Sequence, residues 1–476
     1  MVRTRFAPSP TGFMHIGNLR TALYEYLFAR KNKGVFILRV EDTDQKRLVD
    51  GSLEIIYKTL DLVGITCDED PRVGGAYGPY IQSERKSDYM KYALELIEKG
   101  GAYRCFCTKS SEETSDDTPT KYDRTCHGLS EEEIEKKLQA NTEFVVRQFI
   151  PEGKTTFTDE VYGEITVENE ELEDMVLIKS DGLPTYNFAN VVDDRLMAIT
   201  HVVRGSEYLS STPKYNILYD TFGWQKPIYI HLPLILSPDG GKLSKRKGDA
   251  AFEDLLEQGY LVEAIVNFIA LLGWSPSDNT EIFSLEELIE AFDVKGLSKS
   301  PSVFDKTKLT WFNTEYIKKM EAEKFYELAE NYLKANIKRE GIDLKKVAKY
   351  SQSRVSFVKD IVDLVDFIDQ LPTYSTDLYL HKKMKTTIEN SLASLQNALE
   401  VLKTVEDFTE ENLDKTITAL IEKMEIKNGL MLWPLRTALS GKPTSFCGAV
   451  ELLALLGKDE SIARIEKGIE LLKASL

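Results

Sequence analysis

The chain has 476 residues, 42% of them hydrophobic and 29% charged, which is the profile of a globular protein large enough for two or three cored domains. No apolar stretch reaches membrane-spanning length and residues 1–20 carry no secretory core, so no membrane partner is expected. Five cysteines, an odd number, argue against a secreted disulfide scaffold and for a reducing, cytoplasmic location. The net charge of −17 argues against a general polyanion binder. Polyanions are bound by local fields, however, and "GGKLSKRKGD" at 240–249 concentrates positive charge.

In chain order, "VRTRFA" reads as a strand running into the loop "PSPTG". From Ile16 the apolar residues Leu19, Leu23, Tyr26 and Leu27 recur at helical spacing, and Gly34 offers a stop. "VFILRV" is a buried-type strand closed by "EDTD". Strand, loop, helix and strand within this length make a βαβ unit, hence an α/β fold with a parallel sheet and a ligand-binding loop at the carboxyl end of its first strand. Residues 51–100 read as mainly helical. Between 104 and 190 the texture becomes strand-like, in "TEFVVRQFI" and "EDMVLIKS" behind the polar "KSSEETSDDTPTKYD", and this predicts an insertion into the α/β domain. Sheet character returns in "MAITHVVRG" and "PIYIHLPLIL". From about 250 the chain reads as mostly helical, and beyond 320 almost wholly so.

A helix amino terminus presents unpaired N–H groups and partial positive charge, which suits phosphate. His15 at that mouth can donate to a phosphate oxygen, and Gly17, without a Cβ, lets a flat ring or a phosphate approach the backbone. Taken alone, the segment reads more readily as a surface histidine in a Pro/Gly turn. The lysines of "KLSKR", Lys242 and Lys245, follow a buried-type strand and a flexible turn, so they can swing over a ligand at the sheet edge. The pair of features is far more specific than either one.

With these residues in place, the chain resembles the class I aminoacyl-tRNA synthetases, and within them the bacterial-type glutamyl-tRNA synthetases. "HIGN" at 15–18 is similar to the HIGH signature, with Asn18 in place of the second histidine, and "KLSKR" is similar to KMSKS. Further matching segments are "TRFAPSPTG", "LRVEDTD", "GLPTYNFANVVDD", "FIALLGWSP", "FDKTKLTWFN" and "WPLRTALSG", so the likeness covers nearly the whole chain. It implies a Rossmann-type catalytic half over 1–103, an acceptor-end-binding α+β insertion over 104–190 and a second Rossmann half over 191–250. A stem-contact helical region over 251–320 and an all-α anticodon-binding region over 321–476 would follow. The implied activity is glutamate–tRNA ligation with ATP and Mg²⁺, acting on tRNA(Glu) and open as to tRNA(Gln), by a cytoplasmic monomer. Implied catalytic residues are His15, Lys242 and Lys245, with Ser9, Gly17, Asn18, Glu207, Leu236 and Lys245 around ATP. Arg5, Ser9, Glu41, Tyr186, Asn190 and Arg204 are implied around L-glutamate, an acidic side chain calling for an arginine fork and its α-ammonium for Glu41. "RGSEYLSS" departs from the family at Ser206, Glu207 and Tyr208, where two acidic residues and a histidine are more usual. A catalytically silent relative and a queuosine-modifying relative are the alternatives; the long helical tail speaks against the second.

Cys105, Cys107 and Cys126 supply three thiols towards the four ligands of a structural zinc. The resemblance implies a fourth from Tyr122, with His127 as competitor. Three reduced thiols without metal is the alternative reading. The family also implies that tRNA must be present before glutamate is activated.

Overall fold

The computed structural model describes residues 1–44, 47–107, 122–241, 243 and 251–476. Lys242 and Lys245 lie outside the described residues, as does most of "KSSEETSDDTPTKYD". Residues 1–309 form one compact unit and residues 310–476 a second.

In the first unit, β1 (Arg3–Phe6) leads through the Pro/Gly loop into α1 (Ile16–Lys31), and β2 (Val35–Leu38) returns parallel to β1 with Arg3 opposite Val35. Ile16, Leu19, Leu23 and Leu27 are buried along α1, as the apolar period requires. The expected stop works differently from a glycine cap. Lys33 takes the left-handed conformation (φ 50°), while Gly34 is needed because a Cβ there would meet the Val2 carbonyl oxygen at 2.4 Å. Residues 51–100 are less helical than expected: α2 (Ser52–Leu62) and α3 (Lys86–Glu98) are separated by turns.

The strand-like segment is built from β3 (Ala102–Cys105), α4 (Glu131–Gln139), β4 (Val145–Gln148), β5 (Lys154–Asp159), β6 (Gly163–Glu168) and β7 (Val176–Ile178). Strands β3, β4 and β7 form an antiparallel sheet, and β5 and β6 form a hairpin. The chain then re-enters the parallel layer through α5 (Tyr186–Leu196), β8 (His201–Gly205), α6 (Thr212–Phe222) and β9 (Ile228–Leu232). Strands β8 and β9 are parallel, and the Thr200 N–H, just before β8, donates to the Arg3 carbonyl at 3.0 Å, tying this pair to β1. The hairpin also joins this layer, since Asp159 pairs with Tyr229 in the order β6-β5-β9-β8. The insertion is thus knitted into the sheet as well as being spliced into the sequence.

The short β10 (Ile235–Leu236) pairs in parallel with β11 (Ser302–Val303). Between them lie α7 (Phe252–Gln258), α8 (Val262–Ala270) and α9 (Leu285–Ala291), and α10 (Lys306–Lys319) follows. The second unit is helical: α11 (Ala322–Asn336), α12 (Leu344–Ser351), α13 (Ile361–Val365), α14 (Ile388–Thr404), α15 (Glu410–Lys423), α16 (Asn428–Ser440), α17 (Ala449–Leu456) and α18 (Lys458–Ala474). Leu395, Ala398, Leu402, Leu435, Ala438 and Ile465 are buried in this unit. Gly468 lets α18 approach closely, because a Cβ there would lie 2.6 Å from the Tyr379 hydroxyl. Among the described residues no helix is long and apolar enough to cross a membrane.

Candidate active site

At the mouth of α1 the His15 Nδ1 accepts the Gly17 N–H at 3.0 Å, so His15 caps its own helix. An accepting Nδ1 places the ring proton on Nε2, the nitrogen that can then donate. A Cβ on Gly17 would lie 3.1 Å from that Nδ1, so the bare glycine gives room to the imidazole as well as to any ligand. Asn18 and Ser9 are exposed. One turn into α1, Arg20 donates to the carbonyls of Pro233 and, at 2.9 Å, Leu272, anchoring the helix to the chain that enters β10. Leu236 lies half-buried on β10, and the Leu243 N–H returns to the Ile235 carbonyl at 3.3 Å. The loop bearing the lysines thus leaves from β10, and its far end returns to the mouth of α1, where Ala251 bridges to His15 and the Phe252 N–H donates to the Met14 carbonyl at 3.0 Å.

Beyond the carboxyl end of β2 the Glu41 N–H donates to the Pro8 carbonyl at 3.0 Å, which brings the "EDTD" turn against the loop that holds Ser9. Glu41 is buried and accepts from Arg39 Nη2 at 2.9 Å. Arg39 is wholly buried and also donates to Asp194 at 2.7 Å. Arg5 spends Nε and Nη2 on Asp194, at 3.0 and 3.4 Å, and Nη1 on Glu25 at 3.2 Å and on the Val203 carbonyl at 3.4 Å. Asp193 in turn accepts from Arg85, Tyr89 and Gln82 at 2.8 to 2.9 Å. Arg5, Arg39 and Arg85 thus face Glu25, Glu41, Asp193 and Asp194 with almost no solvent between them.

Burial works against the charge on Arg5, but Asp194 and Glu25 outweigh it and keep the guanidinium charged. Burial likewise opposes ionisation of Asp194, yet Arg5 and Arg39 hold that carboxyl below the ordinary range. Glu41 and Asp193 are pushed up by burial against the pull of Arg39, and burial pushes Glu25 well above the ordinary range against the pull of Arg5; among the described residues its Oε2 has no hydrogen-bond partner. These seven side chains form one connected, buried acid–base lattice.

Asn190 donates to the Tyr186 carbonyl at 2.8 Å within α5, and the Tyr186 ring lies 5.5 Å from that of Tyr208. Arg204 at the end of β8 is 5% exposed and lies over the rings of Tyr215, Tyr208 and Tyr229. It donates to His231 Nε2 at 3.2 Å and to Thr212 Oγ1 at 2.8 Å; among the described residues no carboxylate pairs with it. Burial holds the Tyr186 hydroxyl well above its ordinary range, with Glu41 pushing the same way and Arg204 opposing. Glu207 is exposed, its carboxylate folded over Gly205 where a Cβ would sit 2.0 Å from Oε2.

The three sulfurs of Cys105, Cys107 and Cys126 lie within 4.8 Å of one another. The Tyr122 hydroxyl stands 3.2 Å from Cys105 Sγ and 3.5 Å from Cys107 Sγ. His127 is not among them; its ring stacks on Phe149 at 4.3 Å and meets Tyr103 edge-on.

Sequence reasoning missed Arg39, Gln82, Arg85, Asp193, Asp194, Asp159, Thr212 and His231. Two signals were legible. Arg39 stands two residues before Glu41 on extended chain and so shares its face, and Asp193 and Asp194 follow Asn190 by three and four residues, on one helix face.

A parallel βαβ unit with an anion-suited helix mouth at its carboxyl edge is thus joined to a buried cluster of paired charge, and the second unit is helical. The family model "tRNA synthetases class I (E and Q), catalytic domain" matches residues 1–311, and "Anticodon binding domain" matches residues 324–469. The chain belongs to this family of class I tRNA synthetases. Within it, the chain is 56% identical over 481 residues to the glutamate–tRNA ligase of Clostridium botulinum (strain Eklund 17B / Type B), covering 99% of each chain. It is 56% identical to that of Clostridium novyi (strain NT), covering 100% of this chain and 99% of the relative. It also resembles the crystal structure of a glutamate tRNA ligase from Elizabethkingia meningosepticum in complex with its amino acid, at TM-score 0.86 and 37% identity over 99% of each chain.

Proposed function

We propose that this chain is a glutamate–tRNA ligase, working as a cytoplasmic monomer. The observation that carries the reading is the pair of buried charged groups, Glu41 and Arg204, that both act on the Tyr186 hydroxyl. The buried Glu41 carboxylate offers itself to an α-ammonium, and the buried Arg204 cation, which no carboxylate pairs with among the described residues, offers itself to a side-chain carboxylate. Glutamine would leave that cation without its partner, and aspartate would fall one methylene short.

In the first step an oxygen of the glutamate α-carboxylate attacks the α-phosphorus of ATP, and pyrophosphate leaves with the bridging oxygen. In the second, a terminal ribose hydroxyl of tRNA attacks the acyl carbon and AMP leaves. Both steps ask the protein for positioning and charge rather than for a nucleophile. His15 Nε2–H and the mouth of α1 serve the phosphates, Gly17 the adenine face, and Ser9, Asn18, Glu207 and Leu236 line the nucleotide. Lys242 and Lys245 neutralise the departing pyrophosphate. Mg²⁺ accompanying ATP would neutralise phosphate charge when bound. Arg5, Asn190 and Tyr186 complete the amino-acid pocket, with Arg5 acting largely through the lattice that it shares with Asp194.

The insertion, 104–190, takes the acceptor end of tRNA, residues 251–320 its stem, and residues 321–476 its anticodon. Cys105, Cys107, Cys126 and Tyr122 fit a structural zinc. Three sulfurs and a phenol are already gathered, and a tetrahedron with Zn–S bonds of about 2.3 Å asks for little further movement. Charging purified tRNA(Glu) and tRNA(Gln) with labelled glutamate tests the proposal directly. Glutamate attached to tRNA(Glu) is expected; no glutamate on either tRNA would overturn it.

A further inference from the structure

We infer that Arg204 is aimed at the substrate by a buried relay, Asp159 to His231, whose anion is supplied by the β5–β6 hairpin of the insertion. The inference rests on the reading above that Arg204 meets the side-chain carboxylate, and it extends that reading to residues that belong to neither signature motif.

The protons in this relay are fixed by counting donors. Asp159, the last residue of β5, is 1% exposed. Its Oδ1 accepts the N–H groups of Val161 and Tyr162 at 2.9 and 2.8 Å. Its Oδ2 accepts the backbone N–H of His231 at 3.0 Å and faces His231 Nδ1 at 2.7 Å. A carboxylate that receives three backbone donors is an acceptor throughout, so Nδ1 carries the proton. In the neutral ring Nε2 is then a lone pair, and it faces Arg204 Nε at 3.2 Å. The Thr212 hydroxyl follows the same logic. Its neighbours at 2.8 and 3.3 Å, the Tyr208 carbonyl and His231 Nε2, are both acceptors, so whichever takes its hydrogen, its oxygen is left to accept Arg204 Nη2.

One edge of the guanidinium is thereby gripped by two neutral acceptors. Arg5 shows the contrast: its edge is gripped by carboxylates, which neutralise the charge as they orient it. Moving the anion back by one residue orients Arg204 without cancelling its charge, and a pocket that must attract a carboxylate needs that arrangement. His231 is wholly buried and is here a positioning residue, acting through Arg204.

The test uses the full-length protein with tRNA(Glu) present, measuring ATP–pyrophosphate exchange at varied glutamate and varied ATP. His231→Asn keeps a donor towards Asp159 and removes the acceptor facing Arg204; His231→Gln keeps an acceptor near the Nε2 position. The expected result is a glutamate KM raised about tenfold in His231→Asn, with most of the loss recovered in His231→Gln. The KM for ATP should stay within about twofold in both. Equal rises in the glutamate and ATP KM values, or no recovery in His231→Gln, would make the role merely structural and overturn the relay. A glutamate KM that is unchanged in His231→Asn but raised in Arg204→Ala overturns the relay and leaves the proposed function standing. If Arg204→Ala also leaves it unchanged, the reading of Arg204 fails and the relay with it.

Discussion

At the scale of single residues, the site is defined by which charges have partners. Asp194 holds two arginines in a place without water, so removing its charge strands both. Breaking a buried pair of this kind costs about 3–5 kcal/mol. Asp194→Asn should therefore lower the denaturation midpoint strongly, as urea unfolding followed by circular dichroism would show. Gly17→Ala is a milder and more local change. The new methyl must push the His15 ring by a few tenths of an ångström, and misplacement near reacting groups is costly. We expect kcat for glutamate activation to fall by about tenfold or more with the KM for glutamate unchanged, measured by pyrophosphate exchange. Much of this scale was readable beforehand. His15 and Gly17 stand out by their place at the helix mouth, whereas Glu41 and Arg204 are named only through the segments that resemble the family. Arg39, Asp194 and His231 were not read, because their partners lie far away in the chain; Arg39 and Asp194 are 155 residues apart.

At the scale of elements, the βαβ unit, the returning strands and the helical tail all follow from apolar period. The hairpin's pairing with β9 does not, because the alternation in "KTTFTD" says that one face is buried and not against what. That pairing buries His231, and burial, with the Arg204 charge alongside, holds its imidazole below the ordinary range in spite of the Asp159 hydrogen bond. The unfolded chain then takes up a proton below about pH 6.5 that the folded chain refuses. Stability from this source is complete above that pH and is lost as pH falls towards the lower folded value. His201, also held low by burial, adds in the same direction. Thermal unfolding between pH 7 and pH 5 should show the decline, and His231→Gln should flatten part of it. The cysteine cluster is a second element-scale case. The resemblance implies Tyr122 as fourth ligand with His127 as competitor, and the fold gathers Tyr122 with the sulfurs while it stacks His127 on Phe149. Purified protein is expected to carry about one equivalent of zinc. Tyr122→Phe should weaken its retention against a chelator, and His127→Ala should not.

At the scale of the whole molecule, a chain of net charge −17 is proposed to act on a polyanion. Composition alone could not have suggested this, because recognition depends on local fields. Two compact units, 1–309 and 310–476, divide the proposed work between chemistry and anticodon reading. We expect pyrophosphate exchange to be slow with glutamate and ATP alone and to rise on adding tRNA(Glu); brisk exchange without tRNA would contradict this. Lys245→Ala should lower turnover about a hundred- to a thousandfold in the same assay, the usual loss when a group stabilising transition-state charge is removed.

The stitching of β5 to β9 has a bearing on attempts to miniaturise the catalyst. Cutting out the stretch that interrupts the nucleotide-binding layer would look harmless on a sequence diagram, as though lifting out a cassette. It would uncover the outer rim of that layer and take away the counter-ion behind His231. A working minimal version would have to retain those two short strands, or graft in another rim and another acid.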